Sequence, residues 1–180
     1  MLFPIVPTFV PVSWASIFST TFNATVNPSS DTLVTKFVGL TSAASSFRVT
    51  CTQSSNPNTG TQMSGMWFGE SAASGDAMDF ASSPAPVQVR FGGLTTLAIS
   101  AQGTFVSDTI SFAGGGTRPL MVAFQFNASA TTISSRINVG SNVTYIDTSA
   151  AVASTVDKTG TNFAVFGTNQ IALISKIEAL

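Results

Sequence analysis

From residue 19 onward, apolar and polar positions alternate with a period of two in short runs, each closed by glycine, proline, asparagine or serine. That is the pattern of strands with one face against a core. In MVAFQFN, residues 121–127, Val122, Phe124 and Phe126 fall on one face and Met121, Ala123 and Gln125 on the other, because successive side chains of a strand point to opposite sides. The phenylalanine face is expected to meet the core. The clearest strands are Ser19–Val26, Phe47–Gln53, Gln62–Gly69, Val87–Phe91, Leu97–Ser100, Phe105–Phe112, Leu120–Asn127, Val143–Asp147 and Gln170–Glu178. Thr32–Val38 and Thr131–Val139 alternate more weakly. In the last strand Ile171, Leu173, Ser175 and Ile177 share one face and Ala172, Ile174, Lys176 and Glu178 the other. Apolar residues on both faces predict a central position in its sheet. No stretch carries a convincing helical period.

Loops separate these runs at SSNPNTG (54–60), SSPAP (82–86), GG (92–93) and GGG (114–116), residue types that favour turns through positive φ, fixed φ or local side-chain hydrogen bonds. About ten short strands punctuated this way fit two stacked sheets sharing one core. The expected fold is all-β, an antiparallel β-sandwich of jelly-roll-like topology, forming one domain over residues 19–180. A chain of 180 residues is long enough to bury such a core without disulfides or metals.

Residues 1–18 read differently. MLFPIVPTFVPVSW, residues 1–14, mixes proline with large apolar side chains, and proline forbids a regular helix. The segment lacks a basic start and is broken by Pro4, Pro7 and Pro11, so it reads as an extended apolar arm and not as a secretory signal. Burying each large side chain contributes on the order of 1.5–3 kcal/mol, so an arm carrying Phe3, Ile5, Phe9, Val12 and Trp14 is expected to dock. Its target is either the domain's own sandwich or a neighbouring subunit, and these five residues are the candidate partner-binding set.

Composition sharpens the picture. Hydrophobic residues make up 44% of the chain and charged residues 8%, against roughly a quarter charged in a typical soluble domain. The surface is therefore made of Ser, Thr, Asn, Gln and Gly, with few of the long charged side chains that keep proteins apart; this suits a protein packed against neighbours. A net charge of −1 leaves no electrostatic footprint for nucleic acid. No apolar run approaches the 18 to 20 or so residues of a membrane helix, and no membrane insertion is expected. Cys51, the single cysteine, permits neither an intramolecular disulfide nor a thiolate zinc cluster and reads as a small core residue.

Candidate chemistry is sparse. The chain has no histidine, which removes the commonest general base, metal ligand and partner of a serine nucleophile. A serine–lysine pair would need Lys36, Lys158 or Lys176, and Lys36 and Lys176 read as solvated edge positions. The one local carboxylate cluster is Glu70, Asp76 and Asp79 in GESAASGDAMDF. Its oxygen ligands and glycine turn suit either a plain polar turn or a hard cation such as Ca²⁺, but the spacing matches no EF-hand loop. Phosphate-cradling glycine motifs are missing. For carbohydrate, which stacks on exposed aromatic rings beside amides, the candidates are Trp14, Trp67 and Tyr145, with Trp67 in MSGMWFGE better read as core. No catalytic, cofactor-binding or metal-binding residue is assigned.

Residues 83–127, SPAPVQVRFGGLTTLAISAQGTFVSDTISFAGGGTRPLMVAFQFN, resemble a β-sandwich segment found beside the catalytic domain of SGNH/GDSL-type hydrolases. There a strand ending in F-G-G leads to a second strand, a small loop, V-S-D and a further strand. Closer still is the resemblance to phage and prophage virion-associated proteins. These carry the same segment preceded by a stretch like GESAASGDAMDF, residues 69–80, and closed by one like LISKIE, residues 173–178. The likeness spans roughly the last two thirds of the chain, from about Phe47. It implies a jelly-roll-like module of a phage particle, with no counterpart of the hydrolase's serine, aspartate and histidine. The expectation is a non-enzymatic virion structural protein, a head decoration, head fibre or tail component. It would contact capsid or tail subunits and form a homo-oligomer such as a trimer. The alternative is a carbohydrate- or receptor-binding module recognising host surface glycans.

Overall fold

The computed structural model describes residues 12–26, 32–53, 61–99, 102–126, 133–137, 140–147, 152–158, 163–168 and 170–180. Within them the chain is an antiparallel β-sandwich without helices. The strands are β1 (Ala15–Ser19), β2 (Ala24–Val26), β3 (Thr32–Phe37), β4 (Ser46–Gln53), β5 (Thr61–Glu70), β6 (Val87–Gln88), β7 (Leu97–Ile99) and β8 (Gly103–Val106). They continue with β9 (Ile110–Ser111), β10 (Leu120–Phe126), β11 (Ile133–Ile137), β12 (Val143–Asp147), β13 (Ala164–Thr168), β14 (Gln170–Ala172) and β15 (Ile174–Ala179). One large sheet has the order β1-β15-β4-β8, with β9 also on β4; the other runs β13-β12-β3-β10-β5-β6, with β7 also on β5. A small third sheet joins β14, β11 and β2. The chain passes back and forth between the two large sheets.

The core lies between the large sheets. Phe47, Val49 and Cys51 of β4 face Met63, Met66 and Phe68 of β5 and Leu120, Val122, Phe124 and Phe126 of β10. Aromatic rings join the layers: Phe47 lies 4.9 Å from Phe68, and Phe68 meets Phe112 edge-on at 5.6 Å. Phe18 and Phe37 form a second edge-on pair at 5.0 Å. The phenylalanine face of β10 is thus the core face, as its alternation requires.

The opposite face of the β10 sheet is buried too. Met121 and Ala123 pack there with Val34, Tyr145, Phe80 and Ala153, beneath the connection 71–81 and a strap formed by residues 152–158. This second layer accounts for the weak alternation at residues 32–38, because a strand covered on both faces has no solvent side to mark. β3 carries five fully buried residues out of six. Its threonines are satisfied within the sheet: the Thr35 and Thr144 hydroxyls are 3.2 Å apart, and Thr144 donates to the Gln170 carbonyl at 2.8 Å.

Several expected strands are divided. The expected strand Ser19–Val26 is strand only at Ser19, where β1 ends, and at β2, with the Thr20 N–H donating to the Ser175 carbonyl between them. Phe105–Phe112 splits into β8 and β9 because Ser107 turns inward, accepting the Val49 N–H at 3.0 Å. Val87–Phe91 is strand only at β6, after which Phe91 closes a bridge with Leu94. Gln170–Glu178 breaks at Leu173, whose φ is 59°. That left-handed turn sends β14 into the small sheet and β15 into the sandwich. β15 lies between β1 and β4, so the central position holds for its C-terminal half. β13 was not expected. Ser100, Asn127 and the outer residues of Thr131–Val139 lie outside the described residues.

Candidate functional site

The motif GESAASGDAMDF does not gather its carboxylates. Glu70, at the end of β5, is fully buried and points at the glycine-rich loop 114–118: its Oε1 accepts the Gly116 N–H at 3.0 Å, and its Oε2 accepts Arg118 Nε at 3.2 Å and lies 3.1 Å from Nη2. Gly114 passes so close that a Cβ there would sit 2.5 Å from Glu70 Oε1. Asp79 points the other way. Its Oδ2 accepts the Asp76 N–H at 2.9 Å and its Oδ1 the Lys158 N–H at 2.7 Å. Among the described residues no group of three or more His, Cys, Asp or Glu comes together. The cluster therefore reads as two structural pins: Glu70 holds the glycine loop, and Asp79 holds its own loop and the strap.

Lys158 is the residue whose surroundings the sequence hid. It is 1% exposed, its Nζ donates to the Thr155 carbonyl at 2.5 Å, and the ammonium stands 4.3 Å from the centre of the Phe80 ring. Burial lowers its pKa to about 8, against the opposing pull of Asp79 and Asp157. The amine is directed at a carbonyl and an aromatic ring, and serine–lysine chemistry gains nothing from this contact. Lys36 and Lys176 are not on edge strands, contrary to expectation: β3 lies between β12 and β10, and β15 between β1 and β4. Lys176 is solvated nonetheless, on the outward face of β15, 2.6 Å from Glu178. Cys51 is buried in the core, and burial pushes its thiol up to about 12.

Between these pins lies a groove of about 440 Å³, walled by residues 72–75, 79–82, 156, 157 and Arg118. The motif loop forms one wall: Ala72 N–H donates to the Asp79 carbonyl at 2.8 Å and Asp79 N–H to the Asp76 carbonyl at 3.0 Å. The strap forms the opposite wall, joined through Phe80 N–H to the Val156 carbonyl at 3.0 Å. Arg118 closes one end, donating Nη2 to the Ser83 carbonyl at 2.8 Å. Neither Arg118 nor Asp157 stood out in the sequence. In a chain with seven basic residues, an arginine two residues after a triple glycine was the available signal.

The aromatic candidates are placed differently. Tyr145 is 8% exposed and Trp67 half-buried, both packed in the second layer. The Trp67 ring lies over Gly65, where a Cβ would fall inside contact distance. Trp14 stacks on Arg48 of β4, the guanidinium 4.2 Å from its ring centre, and Arg48 pairs with Glu178 at 3.2 Å. Val12, two residues earlier, is 73% exposed. Phe3, Ile5 and Phe9 lie outside the described residues.

The two short motifs behind the family resemblance meet in space. Asp108 of V-S-D accepts the N–H of Gly92 at 2.9 Å and of Gly93 at 2.7 Å. Both glycines have positive φ, 58° and 81°, a conformation that disfavours other residues. One carboxylate thus caps the F-G-G turn sixteen residues upstream. The chain matches no protein-family model and no curated protein.

Proposed function

We propose that the protein is a non-enzymatic structural component of a phage particle, a head decoration, head fibre or tail protein, that works through protein contacts. The observation that carries this reading is the contrast at the root of the arm. Trp14 is latched to Arg48, while Val12 stands in solvent. The sheet face around the latch bears Lys176, Glu178, Thr52 and Thr104, linked by polar contacts such as Thr52 to Ser175 at 2.8 Å. Such a face is poorly matched to an apolar segment containing Phe3, Ile5 and Phe9, which favours docking on a capsid or tail neighbour or on a second copy. The resemblance of residues 69–127 and 173–178 to virion-associated proteins supports the same reading. So does the use of Glu70 and Asp79 as structural pins instead of a catalytic pair.

The test is a reconstruction of particles carrying the full chain beside particles carrying a chain that starts at Ser13. Density for residues 1–12 against a neighbouring subunit, with loss of the shortened but folded chain from the particle, is the expected result. A chain that never enters particles overturns the reading.

A further inference from the structure

We infer that the groove between the motif loop and the strap is a binding site for an uncharged saccharide; this does not rest on the virion reading, since it concerns the isolated domain. Its walls are small residues, Ala73, Ser74 and Ser82 among them, which let a ligand approach the backbone closely. They offer no large exposed apolar side chain for a hydrophobic ligand. Across this floor stand a guanidinium, Arg118, and a carboxylate, Asp157. Adjacent sugar hydroxyls each donate and accept, so a diol can bridge such a pair while Ser74 and Ser82 supply further partners. A volume of about 440 Å³ lies within the range of small-ligand sites.

Charge narrows the class. The groove is lined by two carboxylates, Asp79 and Asp157, and by one guanidinium, Arg118, which Glu70 already pairs. The surplus is negative, which disfavours phosphates, sulfates and sugar acids and leaves neutral rings. The site is also set in advance: Asp79 ties the loop and strap through two N–H groups, and Glu70 fixes Arg118, so binding need not order the walls. Trp67 and Tyr145 play no part, being packed beneath the strap.

The test is an NMR titration of the ¹⁵N-labelled full chain with maltose, with a disaccharide of N-acetylglucosamine and with a glucuronate-containing disaccharide. The expected result is amide shifts at residues 72–75 and 157 with one of the neutral sugars. The acidic sugar should produce at least about tenfold weaker binding. Ala73→Trp, which fills the groove from its exposed rim, should abolish the shifts, and Asp157→Asn should weaken them if Ala73→Trp proves poorly folded. Shifts centred on Trp14, equal binding of the acidic sugar, no groove shifts with either neutral sugar, or binding unchanged in both variants would each overturn the assignment.

Discussion

The carboxylate of Glu70 and the guanidinium of Arg118, forty-eight residues apart in sequence, form an ion pair in which the acid is wholly buried and the base reaches solvent. Removing only the base strands a buried charge, which costs more than the pair itself contributes. Arg118→Met is expected to destabilise the fold by about 2–4 kcal/mol in urea melts. Glu70→Leu combined with Arg118→Met should recover part of that loss, because no charge then remains in the apolar site. A double variant as unstable as the single one would show that the damage lies in the glycine loop instead.

Asp108 gives a second, independent case. Its carboxylate accepts two backbone N–H groups of the Gly92–Gly93 turn. Asp108→Ala should cost about 1–2 kcal/mol, moderated by the exposure of the turn. Asp108→Asn, which keeps one acceptor oxygen, should fall between. Amide exchange at Gly92 and Gly93 should quicken in both variants, and unchanged exchange would count against the cap.

Lys158 makes stability depend on pH in an unusual direction. Its folded pKa, about 8, lies below its ordinary 10.5, so between those values the unfolded chain binds more protons than the folded one. Stability from this group therefore rises as pH increases through that window, by at most about 1.4 kcal/mol per pH unit, and is lost again as pH falls through 8. Cys51 acts oppositely above its ordinary 9.0, because burial keeps its thiol protonated in the fold up to about 12. The clean window is pH 8 to 9, where wild type should gain stability relative to Lys158→Met. Parallel stability curves for the two proteins would remove the ammonium from the explanation.

Cys51 itself supplies a probe of opening. A thiol that is buried and held protonated has almost no thiolate to react. A disulfide exchange reagent at pH 8 should label it only as fast as the domain unfolds. Labelling should be slow in native buffer and immediate in denaturant. Fast labelling of the native protein would mean that β4 is open to solvent.

Much of the fold was legible because short apolar or alternating runs are closed by turn-forming residues. Residues 47–53, 62–69, 120–127 and 143–147 were found within a residue or two of β4, β5, β10 and β12. The second layer was not legible. Nothing in the local pattern of residues 152–158 announces that they cross the outer face of a sheet or that Lys158 is buried there. The break at Leu173 was also hidden, since a leucine in the left-handed region violates its own preference by roughly 1–2 kcal/mol and only tertiary packing holds it there. The candidate groove depended on Glu70 finding Arg118 and Asp79 finding the strap, contacts across 48 and 79 residues that alternation does not encode.

The place of β15 has a consequence for how the protein is made. Ala15 of β1 pairs with Ala179, and Phe47 of β4 pairs with the same residue on its other side. The strand that joins β1 to β4 is therefore translated 155 residues or more after β1, and until residue 179 has left the ribosome that sheet is two unconnected pieces. Meanwhile Phe18, Phe47 and their neighbours have no completed layer to bury them. Folding of the sandwich is thereby deferred until β15 has been made, with a long interval in which the nascent chain depends on its low charge not leading it into other chains.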